Sequence, residues 1–156
     1  MNTKRDYTAL IIVLLSSCFL CGASIDNSEV ITFCGKSTGY SYHLKTEMTK
    51  DNFGWEEDSI SSGDIIFIIR NGQPDILMRD ARQKTYSKKE SGALVQFKRN
   101  SFIPLMYTVS VIFPEGDMEH YIFNLDKLGN GEVVWGSVRG IGMLPKSSLF
   151  TAKCKK

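Results

Sequence analysis

The sequence predicts an all-β protein: one domain, a single antiparallel meander closing into a small barrel of about eight strands, with a two-layer sandwich as the alternative. Three observations carry that expectation. Apolar residues recur with a period of two from Glu29 onward, and no window of a dozen residues shows the i, i+3, i+4, i+7 stripe of a helix. Clusters containing glycine, asparagine or proline separate the apolar runs at hairpin spacing. Two cysteines, Cys34 and Cys154, stand near opposite ends of the β-rich region.

In chain order, the first element is not a strand. Met1-Asn2-Thr3-Lys4-Arg5 is basic, and the run from Ala9 to Leu20 is apolar but shorter than the roughly 18–20 residues a membrane-crossing helix needs. This is the layout of a secretory signal peptide over residues 1–23, leaving a single domain over 24–156 in the periplasm or outside the cell. Cys21-Gly22-Ala23 offers small residues for cleavage before Ser24 or Ile25. Leu15-Ser16-Ser17-Cys18 offers the competing chemistry, a lipobox whose Cys18 would be acylated and would hold the domain on a bacterial membrane. Removing residues 1–23 leaves 133 residues with 17 basic and 16 acidic side chains, which calls for neither nucleic acid nor an acidic membrane surface.

Of four cysteines, Cys18 and Cys21 lie in the export segment, so Cys34 and Cys154 are expected to form one disulfide in an oxidising compartment. A zinc site would have to recruit both His43 and His120, and neither stands at metal-ligand spacing.

The expected strands are residues 30–34, 40–44, 65–69, 75–79, 84–87, 93–98, 107–113, 119–125, 133–138 and 149–154, rich in aromatic and β-branched residues. Ile65-Ile66-Phe67-Ile68-Ile69 is apolar on both faces and is placed at the sheet centre. Residues 107–113 and 119–125 alternate, with Thr108, Ser110, Ile112, His120, Ile122 and Asn124 on the wetter face. Turns are expected at Asn71-Gly72-Gln73-Pro74, Ser91-Gly92, Pro114-Glu115-Gly116-Asp117 and Gly129-Asn130-Gly131. Because Cys34 ends the first strand and Cys154 the last, their bond is expected to bring the two ends of the sheet together and close the barrel.

The chemical motifs are weak. Gly35-Lys36-Ser37 lacks the glycine of a phosphate-binding loop, since Val30 stands in its place. Gly129-Asn130-Gly131 and Gly140-Ile141-Gly142 open no helix and read as turns, and Leu128 occupies the place of a second calcium ligand after Asp126. Glu56-Glu57-Asp58 reads as a solvated loop, and Trp55 as a loop aromatic capping the core, with a ligand platform as its alternative. His43 and His120 are expected on wet strand faces without a nucleophile beside them. Lys84, Lys88, Lys89, Lys98 and Arg99 read as solubilising and edge-protecting charges.

The Cys34-Gly35-x-Ser37-x-Gly39-Tyr40-Ser41-Tyr42 opening, the Gly54-Trp55-Glu56-Glu57-Asp58-Ser59-Ile60-Ser61 segment, Trp135-x-Ser137 and Leu144-Pro145-Lys146-Ser147-Ser148, in which x is any residue, resemble a group of small exported bacterial β proteins with no assigned activity. The resemblance implies export and a bacterial source and supplies no site residues.

No catalytic residue, metal or cofactor is expected. The leading reading is a non-catalytic binding or envelope-associated domain, with small-ligand binding in the barrel interior as one form of it. Tyr42, Tyr107, Tyr121 and Trp135 are its ligand-facing candidates, with Trp55 as a further one. The alternatives are a protein-interaction module, such as a hydrolase inhibitor or assembly partner, using loops around Trp55 and Phe102-Ile103-Pro104, and a lipoprotein anchored through Cys18.

Overall fold

A computed structural model describes residues 27–100, 105–140 and 145–156, and every regular element in them is a strand. The strands are β1 (Ser28–His43), β2 (Gly54–Ile60), β3 (Asp64–Arg70), β4 (Gln73–Arg79), β5 (Thr85–Ser87), β6 (Leu94–Arg99), β7 (Met106–Ile112), β8 (Met118–Leu125), β9 (Gly131–Arg139) and β10 (Lys146–Lys155). The expected export segment with Cys18, residues 102–104, and Ile141 and Gly142 lie outside the described residues.

All pairings are antiparallel, in the order β5-β4-β3-β1-β10-β9-β8-β7-β6, with β2 attached to β1 off this path. β1 is a branch point. Its first half pairs with β3, its second half pairs with β2, and its opposite edge pairs with β10. The β1–β10 register shifts between Cys34 and Ser37, next to the place where the partner changes from β3 to β2. A bulge bends a strand and sharpens its twist, which suits such a branch. The two strands expected at 30–34 and 40–44 are therefore one strand of 16 residues.

β2 corrects the expectation of a solvated loop at Glu56-Glu57-Asp58. Polar residues stand on both faces of this strand, so hydrophobic periodicity had nothing to register there. What makes it a strand is its ladder to β1, which runs through all seven residues from Ser37↔Ile60 to His43↔Gly54. β3 is also displaced from its expected place: β10 lies at the middle of the nine-strand path and β3 third from one end. Its apolar run is nonetheless buried on both faces, at Ile65 and Phe67 and at Ile66 and Ile68.

The sheet curls into an open half-barrel. Phe67 on β3 reaches across the fold to Phe123 on β8 (5.1 Å between centroids), Tyr107 on β7 (5.6 Å) and Phe97 on β6 (6.3 Å). β4 approaches β6, but no hydrogen-bonded ladder joins them, so the expected closed barrel does not form. The reason lies in the disulfide. Cys34 and Cys154 are register partners with Cα atoms 4.0 Å apart, as expected, but β1 has β3 on its other side. First and last in the chain, β1 and β10 are interior in the sheet, and joining them leaves β5 and β6 as the ends of the path.

A stack of aromatics lines the inner face: Phe150 to Trp135 (4.6 Å), Trp135 to Tyr121 (5.7 Å) and Tyr121 to Phe123 (6.0 Å), ending on Phe67. Such pairs contribute about 0.5–1.5 kcal/mol each beyond the area they bury. Gly39, opposite Phe150, lets β10 pass close to β1; a Cβ there would lie 2.0 Å from the Leu149 carbonyl oxygen.

Candidate functional site

Alternation along each strand divides the sheet into an inner face, which holds the core, and an outer face open to solvent. Each carries one feature that core packing does not require: buried polar groups inside, and outside a long, mainly apolar row interrupted at Ser147.

On the inner face the aromatic row gives way to a polar one. Glu56, Ser41, Ser148, Ser137 and Glu119 are successive cross-strand partners from β2 to β8, and the three serines and Glu119 are buried. Their partners are supplied locally, as burial demands. The Ser41 hydroxyl donates to Asp58 Oδ2 at 2.6 Å and lies 2.7 Å from Ser148 Oγ, and Lys146 Nζ donates to the same carboxylate oxygen at 3.3 Å. Trp135 Nε1 donates to Ser37 Oγ at 3.2 Å. Glu119 accepts from the Tyr121 hydroxyl at 2.6 Å and from Lys88 Nζ at 2.9 Å.

The electrostatics follow from these contacts. The Ser41 hydrogen bond, helped by Lys146, holds the Asp58 carboxyl below its ordinary range. Burial, reinforced by the neighbouring Glu119, raises the Tyr121 phenol well above its ordinary value, so it remains a neutral donor. A carboxylate with lowered proton affinity is a poorer general base. The Ser148–Ser41–Asp58 chain thus ties β10, β1 and β2 together through a fixed charge.

His43 and His120 do not converge. His43 lies on the inner face, not the wetter one expected; its Nε2 is 2.7 Å from Glu56 Oε1 without the alignment of a hydrogen bond, a contact that becomes an ion pair when the ring is protonated. His120 stands exposed on the outer face of β8, with Nδ1 3.0 Å from Ser110 Oγ. Among the described residues no three metal-ligating side chains come together.

The outer face carries the larger feature. Leu94 is paired with Ile112, Ile112 with Met118, Met118 with Val138, Val138 with Ser147, Ser147 with Tyr42, and Tyr42 with Trp55. These seven residues form one row at right angles to seven strands. At ~4.8 Å per strand the row is about 29 Å long along the sheet. Its large apolar members are open to solvent, from Ile112 at 36% exposed to Trp55 at 67%, while Tyr42 is half-buried against the Trp55 ring (5.3 Å). Beside the row, Thr38, Tyr40, Glu57, Ser59, Leu149 and Thr151 line an open groove of about 670 Å³.

The ligand-facing candidates read from the sequence divide between the faces. Tyr42 and Trp55 come together on the outer face, so Trp55 belongs to an exposed strand instead of capping the core. Tyr121 and Trp135 are stacked in the core, and Tyr107 packs on Phe67. The aliphatic members of the row were missed because apolar residues on the outer face are spaced out within each strand: His120 separates Met118 from Ile122, and Gly136 separates Val138 from Val134. The available signal was Ile112 on the wet side of its strand; only the register shows that it continues in Leu94, Met118 and Val138.

Compared with protein-family models, curated proteins and solved structures, the chain matches none.

Proposed function

We propose that the chain is an exported, non-catalytic binding module that takes a protein partner on the apolar row of its outer face. The observation that carries this reading is the unbroken register of Leu94, Ile112, Met118, Val138, Ser147, Tyr42 and Trp55 across seven strands. Scattered surface apolar residues need no explanation, whereas contiguous exposed ones mark interaction surfaces. A protein surface fits a long, open, mixed aliphatic and aromatic row better than a small molecule does, because small ligands need concave sites that bury most of their area. The concave side of this sheet is filled by its own aromatic stack.

Export is supported by the basic-then-apolar N-terminus and by the Cys34–Cys154 disulfide, which is compatible with an oxidising compartment. The test is capture from envelope extract on immobilised protein, with Met118→Asp/Val138→Asp as the comparison. A partner retained by the native protein and lost by the double variant is the expected result. Equal retention by both, or no retained protein, overturns the reading.

A further inference from the structure

We propose that the free edge of β2 takes an extended, basic segment of the partner as an added antiparallel strand. This rests on the protein-docking reading above and names the element that would grip the partner. Among the described residues β2 is hydrogen-bonded to β1 alone, along all seven residues, which leaves its other edge with backbone N–H and C=O groups unpaired by any of them. Proteins add extended segments to such edges, the backbone giving affinity and alternate side chains giving specificity.

The side chains on this edge define the segment it fits. Trp55, Glu57 and Ser59 point to the outer face, and Trp55 ends the apolar row. Glu56 lies against His43 and Asp58 is bonded to Lys146, while exposed Glu57 has no cation within ion-pair distance among the described residues. A second copy of this chain is a poor occupant. Antiparallel pairing of two β2 strands about their midpoint would set Glu57 against Glu57 and Glu56 against Asp58, and like charges directly opposite destabilise a sheet. The complementary strand places Lys or Arg opposite Glu57 and, two residues along on the same face, an apolar side chain beside Trp55.

The other sheet ends are guarded differently. β5 has only three residues, and β6 finishes in Lys98 and Arg99. Short strands and basic side chains are both devices against adventitious pairing. A basic segment is therefore steered to β2 in preference to β6.

The experiment is hydrogen exchange, read by NMR on the intact oxidised protein, with a capped seven-residue peptide alternating Lys and Val and its Glu-for-Lys counterpart as probes. The Lys peptide is expected to slow exchange of the β2 amides that point away from β1, in a saturable and salt-sensitive manner. Glu57→Lys, an exposed substitution checked by unchanged exchange in β9 and β10, is expected to weaken the peptide about fivefold or more. The Glu peptide is expected to leave β2 unchanged. Absence of β2 protection, protection only elsewhere, or equal affinity for the Glu57→Lys variant overturns the proposal. Val138→Ser separates the two readings: partner capture that depends on Val138 without β2 protection sinks strand addition alone, and β2 protection without Val138-dependent capture sinks the docking row alone.

Discussion

Cys34 and Cys154 face each other in register on adjacent interior strands, with 4.0 Å between Cα atoms and a separation of 120 positions along the chain. The bond therefore pins the middle of the sheet, where β1 branches to β3 and β2, and leaves the ends of the sheet free.

Replacing both cysteines with serine is expected to destabilise the domain by about 2–5 kcal/mol, because the closed loop is long and its constraint on the unfolded chain is lost. The fold should persist, since the β1–β10 ladder continues from Ser37 to His43 without the disulfide. Urea unfolding of the oxidised protein and the double variant measures the difference. Equal midpoints would show that the bond adds nothing to the ladder.

Phe67 and Trp55 are expected to behave oppositely on truncation. Phe67→Ala removes the ring that ties β3 to β6, β7 and β8 and should cost about 3–5 kcal/mol. Trp55→Ala removes a residue 67% exposed on the outer face and should change stability by no more than about 1 kcal/mol while weakening partner binding. Thermal and chemical unfolding of the two variants, set beside partner capture, distinguishes a core residue from a docking residue.

Asp58 gives the fold an acid-sensitive joint. Its folded-state pKa is lowered, chiefly by the Ser41 hydrogen bond, from an ordinary 3.8. The stability it contributes is present above that ordinary value and is lost as pH falls through the lowered one. Asp58→Asn is expected to be less stable than the native protein by about 1–3 kcal/mol near neutral pH. The gap should narrow as the pH drops below about 4. Unfolding measured from pH 6 to pH 2 tests this; a gap that stays constant throughout would remove Asp58 from the account.

How much of this was legible in the sequence varies by element. Residues 119–125 showed their alternation openly, because Glu119, Tyr121, Phe123 and Leu125 face the core and His120, Ile122 and Asn124 face solvent. The Cys34–Cys154 pair was legible because only two cysteines remained outside the expected export segment. Its meaning for topology was not: chain ends that meet are sheet ends that meet only when neither strand has another partner, and β1 has three. β2 was hidden because Trp55-Glu56-Glu57-Asp58-Ser59 has the composition of a loop, and a strand held by its backbone ladder leaves no apolar period to read. The outer row was hidden for a related reason. Register is a relation between strands, and Leu94, Ile112, Met118 and Val138 become neighbours only after every hairpin has set its offset.

The claim that the outer row is the docking face is tested most directly by photo-cross-linking in cells that make the protein with its own envelope. A benzophenone side chain is placed singly at Val138, in the middle of the row, and at Thr151, on the same face but outside the row. The account predicts one discrete adduct from Val138 and little or none from Thr151. Equal labelling at both positions, or an adduct from Thr151 alone, would contradict it.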